Sequence, residues 1–243
     1  MDFGISGKSA LVTASSKGLG FASAMALAEE GVRVTICGRG EEALHLAEAK
    51  ISDAGGTVLA IAADVTDRAA PAELVAAHVE RYGGLDILVA NAGGPPPGRA
   101  LDLDDDMITT AVNNNLLTSA RLVREAVPFM RAAGWGRICL ITSYSIKQPI
   151  PTLSLSNTAR AGLWAWAKTA AADLFDDGIT LNTCCPGSHA TDRILQLSGR
   201  GGGGGPMGQP ADFGRAVAFL CSQPANFISG TALVVDGAAT LGL

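Results

Sequence analysis

The stretch Ala10–Gly20, ALVTASSKGLG, decides how the rest of the 243-residue chain is read. Its apolar start, Ala10–Val12, breaks at Thr13 into small and polar residues, and Gly18 and Gly20 then open an amphipathic segment, FASAMALAEE. That order is strand, tight turn, helix. The first N–H groups of a helix have no partner within it and sit at the positive end of its dipole, so such a turn binds anions. Gly18 and Gly20 remove side chains where a phosphate has to come close. The reading is a dinucleotide site, weighed against an ordinary glycine turn.

Outward from this turn, strand and helix signals alternate to the end of the chain. Strands are predicted at Val32–Cys37, Thr57–Ala62, Leu85–Ala90, Arg137–Thr142, Ile179–Cys184 and Ala232–Val235. Helices are predicted at Glu41–Asp53, Asp67–Arg81, Ser154–Phe175 and Ala211–Ser222, with one long helix over Asp104–Ala132 whose middle holds three poor helix formers, Asn113, Asn114 and Asn115. Nearly unbroken apolar strands separated by helices mean a parallel sheet covered on both faces, with ligands at the carboxyl ends of its strands. The expected fold is therefore a single α/β domain over residues 1–243, a doubly wound seven-stranded parallel sheet.

Composition narrows the function. Apolar residues make up 48% of the chain and charged ones 17%, enough for a large core and for buried surface between subunits. A net charge of −5 without a basic run argues against nucleic acid as a partner. No window approaches a membrane span, and the start, MDFGISGKSALV, lacks the layout of a signal peptide, so a cytoplasmic location is expected. The five cysteines show no metal-ligand spacing and read as buried free thiols, and no metal is expected. His45 and His78 fall on predicted helices among charged neighbours and read as solvated.

Taken together, the turns at the strand ends resemble those of the short-chain dehydrogenase/reductase family, over almost the whole chain. Thr13-Ala-Ser-Ser-Lys-Gly-Leu-Gly20 is similar to its TGxxxGxG turn, with Ala14 where the first glycine would stand. Asn91-Ala92-Gly93 is similar to its NAG motif, and Asn115 to its structural Asn. Ser143, closing the RICLITS strand, matches its catalytic Ser, and Pro186-Gly187 through Thr191 its PG-x-x-x-T turn beside the nicotinamide. The resemblance implies a Rossmann-type fold and a nicotinamide cofactor. Its cofactor-binding residues would be Thr13, Ser15, Ser16, Lys17, Gly18, Leu19 and Gly20, then Arg39, Asp64 and Val65, then Asn91, Ala92 and Gly93, and finally Arg160, Pro186, Gly187 and Thr191.

Charge argues for NADPH over NADH. An acidic residue ending the second strand would hold a ribose 2′-hydroxyl and repel a 2′-phosphate. This strand ends Cys37-Gly38-Arg39, with no carboxylate, and Lys17 lies inside the glycine turn. Two cations beside one ribose suit a phosphate.

One departure is chemical. The family pairs Tyr-x-x-x-Lys on the helix about thirteen residues after its Ser, and here that count gives Ser156 and Arg160. The chain thus resembles an atypical member, similar to 3-oxoacyl-ACP reductase-like proteins, with Ser-x-x-x-Arg in that place. A serine hydroxyl is far less acidic than a phenol, and an arginine stays protonated and does not relay protons. The catalytic set would be Ser143, Asn115, Ser156, Arg160 and His189, whose imidazole suits proton transfer. Tyr144 and Lys147 are further candidate acids, although strand alternation turns Tyr144 away from Ser143 and Lys147 would have to swing in. Asp192 reads as a helix N-terminal residue.

Substrate walls are expected from Gly93–Gly98, Tyr144–Leu153 and Thr191–Gly208, the last a loose lid or an ordinary surface loop because of Gly201–Gly205. In the family, the long helix and the one after it pack on a neighbouring subunit, so a homodimer or homotetramer is implied. Trp164 and Trp166, two apart on that helix, lie on different faces. Two functions stay open: an NADPH-dependent reductase of a carbonyl or iminium (hemiaminal-derived) carbon in a small molecule, or a non-catalytic NADP(H)-binding regulatory protein. An iminium carbon already carries positive charge and needs no proton at oxygen, so the missing Tyr damages that reaction least.

Overall fold

The computed structural model describes residues 2–192, 194 and 207–242. The glycine turn joins β1 (Ser9–Val12) to α1 (Gly18–Glu29). Alternation continues through β2 (Arg33–Gly38), α2 (Glu41–Asp53), β3 (Val58–Ala62), α3 (Ala70–Tyr82) and β4 (Ile87–Ala90). The second half runs α4 (Asp105–Ala111), α5 (Thr118–Ala133), β5 (Gly136–Ile141), α6 (Ser154–Phe175), β6 (Ile179–Pro186), α7 (Pro210–Leu220) and β7 (Ala232–Val235). The strands form one parallel sheet in the order β3-β2-β1-β4-β5-β6-β7, as the unbroken apolar strands predict.

Period-two alternation divides the core into two layers. Val12, Ile87 and Val89 pack with Leu27 of α1 and with Phe213 and Val217 of α7. Leu11, Leu88 and Ala90 pack on the opposite face with Leu74 of α3, Leu122 of α5 and Leu163 of α6. The winding reverses between β1 and β4, and that reversal opens a crevice at their carboxyl ends. The five cysteines are buried free thiols, four of them, Cys37, Cys139, Cys184 and Cys221, within these layers.

Two expectations are corrected here. The helix predicted over Asp104–Ala132 is interrupted by a π-helical segment, Val112–Leu117. The asparagines bond locally instead of continuing a regular helix: Asn113 Nδ2 donates to Asn114 Oδ1 at 3.1 Å, Asn115 Nδ2 to the Ala111 carbonyl at 3.3 Å, and Thr118 Oγ1 to the Asn113 carbonyl at 3.1 Å. His78, read as solvated, is fully buried, with Nδ1 2.8 Å from Thr35 Oγ1 and its ring edge-on to Tyr82. Its neighbours in sequence are charged, but its face of α3 turns inward. His45 is exposed and leans on Glu48. The five-glycine run and most of the expected lid lie outside the described residues.

Candidate active site

The crevice is built on bonds between the strand ends. Thr13 Oγ1 donates to the Asn91 carbonyl at 2.7 Å and accepts the Asn91 N–H at 2.8 Å, tying β1 to β4. Asn91 Nδ2 donates to the Ala14 carbonyl at 3.1 Å. Ser15 ties β1 to β2: its hydroxyl donates to the Val12 carbonyl at 2.6 Å and accepts the Cys37 N–H at 3.0 Å. Thr13, Ser15 and Asn91 therefore hold the turn in shape. Ala14 takes a positive φ of 46°, a conformation that a β-carbon disfavours.

The start of α1 suits a phosphate. Lys17 caps it without a side-chain hydrogen bond, so the first N–H groups keep no capping partner. A β-carbon on Gly20 would strike the Ala14 carbonyl and come 2.8 Å from Asn91 Nδ2, so residue 20 must be glycine for this turn to close. Gly18, at φ 60°, supplies the left-handed step before the helix. Beyond β2, Arg39 is 78% exposed along its side chain and lies 3.7 Å from Asp64. The Thr66 N–H and hydroxyl, with help from Arg39, hold the Asp64 carboxyl below its usual range against the opposing effect of burial. The exposed guanidinium and the missing β2 carboxylate fit a 2′-phosphate.

At the other end of the crevice, β5 runs into Ser143 in extended conformation. Ser143 Oγ accepts the Ser145 N–H at 3.1 Å and starts a single 3-10 turn over Tyr144–Ile146. On α6, Ser156 and Arg160 are 9% and 8% exposed. Arg160 Nη1 donates to the carbonyls of Ile141 and Thr142 at 2.8 and 3.0 Å. His189 is buried, its Nδ1 3.2 Å from the Gly187 carbonyl and its ring edge-on to Phe213 at 5.5 Å.

A cavity of about 880 Å³ joins the two ends. Of the expected cofactor residues its wall contains Lys17, Gly18, Leu19, Asn91, Ala92, Gly93, Arg160, Pro186, Gly187 and Thr191; of the expected catalytic set, Ser143, Ser156, Arg160 and His189. Thr13, Ser15, Ser16, Gly20, Arg39, Asp64 and Val65 stand outside the wall. Val65 is buried in the core layer, and Ser16 packs against Gly38. Asn115 is also outside: it is buried in the π-helical segment, and its Oδ1 has no hydrogen-bond partner among the described residues.

Two candidate acids change places. Tyr144, expected to turn away, lines the cavity beside Ser143, because the 3-10 turn ends strand alternation at that point. Lys147 is outside the wall, its ammonium 4.1 Å from the centre of the Trp164 ring. Trp166 packs with the core layer, on a different face of α6. The wall also holds Asp192, from the expected Thr191–Gly208 wall, Ser188, from the Pro186–Thr191 turn, and Arg99 and Asp102, which the sequence did not single out. Arg99 directly follows Gly98, and a backbone bridge between Gly98 and Leu153 fastens that loop to the start of α6. The signal for Arg99 was the rigid PPPG run just before it.

Known proteins are similar to this chain in sequence and fold. A family profile described as enoyl-(acyl carrier protein) reductase matches residues 13–240. Human dehydrogenase/reductase SDR family member 4 is 31% identical over 96% of this chain and 87% of its own length. L-rhamnose 1-dehydrogenase (NAD(P)(+)) of Azotobacter vinelandii is 33% identical over 97% of this chain and 98% of its own. The crystal structure of L-sorbose reductase from Gluconobacter frateurii, complexed with NADPH and L-sorbose, superposes with a TM-score of 0.94 at 30% identity, covering all of both chains.

Proposed function

The chain belongs to the short-chain dehydrogenase/reductase family, and from that premise we propose that it is an NADPH-dependent reductase. Its substrate is a small organic molecule with a carbonyl carbon, or an iminium carbon of the kind a hemiaminal gives on losing water. The observation that carries this reading is the single cavity leading from the α1 turn to Ser143, Ser156 and His189.

Bound NADPH supplies the electron pair and hydrogen of the reduction. Lys17, Gly18 and Leu19 would hold its pyrophosphate at the helix start, and Arg39 its 2′-phosphate. Gly187 and Thr191 would hold the nicotinamide half, as the family resemblance implies. Ser143, with its oxygen already accepting the Ser145 N–H, keeps its own O–H to donate to a substrate oxygen. Arg160 contributes fixed positive charge below the reacting end rather than a mobile proton. The absence of a phenol at position 156 makes this an atypical acid catalysis, and it favours substrates such as iminium ions that need no proton at oxygen. We also propose a homodimer or homotetramer, supported by the exposure of Leu117 and Phe129 on the segment that the family buries between subunits.

The test is NADPH oxidation against a panel of ketones, aldehydes and cyclic iminium ions. Turnover on any of them supports the reductase. Tight NADPH binding with no turnover on all three classes would replace it with the non-catalytic NADP(H)-binding reading, which the engagement of Arg160 with β5 carbonyls also favours.

A further inference from the structure

We infer that Tyr144 is the proton donor for carbonyl substrates, acting from the 3-10 turn after β5 in place of the phenol that α6 lacks; this rests on the reductase reading above. The chain has two tyrosines. Tyr82 is on α3, edge-on to His78. Tyr144 is therefore the one phenol in the cavity wall, and it stands next to Ser143 in sequence.

The local geometry explains how consecutive residues come to share one wall. Ser143 is extended, with φ −162° and ψ 150°, and its Oγ draws the Ser145 N–H inward. The chain then coils through Tyr144–Ile146 instead of continuing the strand. Tyr144 is half-buried, and its hydroxyl makes no hydrogen bond among the described residues. An unbonded hydroxyl in a cavity wall is available to a ligand.

The competing groups are less suited. Ser156 offers an aliphatic alcohol, a much weaker acid than a phenol. The His189 ring is braced between the Gly187 carbonyl and Phe213, with Gly208 against its edge. The Lys147 ammonium is engaged over Trp164, outside the wall.

With NADPH bound, its reduced nicotinamide would supply the carbonyl carbon with a hydrogen and its electron pair and be oxidised in return. The carbonyl π pair moves onto oxygen. The Tyr144 O–H bond breaks, its proton passes to that oxygen to give the alcohol, and the phenolate regains a proton from water.

Tyr144→Phe should lower kcat on a ketone by about 10²-fold or more while leaving turnover of a cyclic iminium ion within about threefold. NADPH affinity, read by fluorescence titration, should stay within about twofold, because Tyr144 carries no expected cofactor contact. Ser156→Tyr added to Tyr144→Phe should recover part of the ketone activity. In the cofactor-free protein the alcohol product should bind Tyr144→Phe about threefold or more weakly than wild type, read by calorimetry, through the lost hydrogen bond to the phenol. Tyr144→Leu carries both tests if Tyr144→Phe fails to fold. An active wild type whose Tyr144 variant keeps its ketone kcat, or an alcohol affinity unchanged by the substitution, overturns the assignment of Tyr144 and leaves the reductase standing. A wild type inert toward every carbonyl and iminium compound overturns both, and turnover of iminium ions alone overturns only the proton donor.

Discussion

The guanidinium of Arg160 gives the carbonyl of Thr142 a hydrogen bond that the sheet cannot supply. Thr142 donates its N–H to the Cys184 carbonyl at 3.0 Å, and the next bond of this parallel ladder would come back to the Thr142 carbonyl from the N–H of residue 186. That residue is Pro186, which has no N–H. Arg160 Nη1 lies 3.0 Å from the same carbonyl and 2.8 Å from that of Ile141. Arg160 thus fixes the end of β5, one residue before Ser143. Arg160→Met should lower stability by about 1–3 kcal/mol, through a buried carbonyl left without a donor, as urea unfolding would show. Arg160→Lys should be destabilised less and should not gain kcat. A rise in kcat would mean that position 160 acts as a proton relay rather than as a brace.

Ala14 carries strain that a glycine would relieve. Its φ of 46° costs a residue with a β-carbon about 1–2 kcal/mol. Glycine loses about 0.5–1 kcal/mol of that gain to chain entropy. Ala14→Gly is therefore expected to raise stability by about 0.5–1 kcal/mol, read as a higher urea midpoint at unchanged slope. A lower midpoint would show that the Ala14 methyl makes packing contacts worth more than the strain.

Arg39 should decide between the two nicotinamide dinucleotides. Its side chain is exposed, and among the described residues its one ion partner is the Asp64 carboxylate at 3.7 Å, so turning to a 2′-phosphate costs it little. Arg39→Ala should weaken NADPH binding by about 10-fold or more and leave NADH binding nearly unchanged, with the NADPH preference of the wild type shrinking as salt rises. Equal wild-type affinities for the two cofactors, unaltered by the substitution, would remove the charge argument for NADPH.

The sheet was legible because its strands are short apolar runs bounded by turn residues, and α2, α6 and β7 fall on their predicted bounds. The glycine turn was legible because its shape is set by the left-handed step at Gly18 and the close approach at Gly20. What local pattern could not give was anything set by a partner far along the chain. Ser15 reads from the sequence as a cofactor residue, and its bonds to Val12 and Cys37, which tie β1 to β2, could not be read there. Tyr144 reads as turned away because alternation holds only as far as the strand does. The role of Arg160 depends on Pro186, which comes from a different strand. The Asn113–Asn115 run did signal trouble in its helix, but not that the trouble takes a π-helical form.

His78 makes stability depend on pH through its burial against Thr35. Its Nδ1 is 2.8 Å from Thr35 Oγ1, and its Nε2 has no partner among the described residues. Burial pushes its pKa from 6.5 down to about 4, with Arg33 adding to the shift and Asp86 and the Gly84 main chain opposing it. A depressed histidine is neutral in the fold, whereas in the unfolded chain it takes up a proton near its ordinary value of 6.5. Its contribution is therefore complete above about pH 6.5, falls as the pH drops toward 4 and is gone below that, amounting to at most about 3 kcal/mol. Carboxylates titrate in the lower part of this window, so the comparison that isolates His78 is wild type against His78→Gln at about pH 7, 6 and 5. The wild type should lose more stability across that span than the variant, even though His78→Gln starts lower at neutral pH through poorer packing around Thr35. Parallel curves would mean that the imidazole protonates inside the fold as readily as outside it, and that burial next to Thr35 does not keep it neutral.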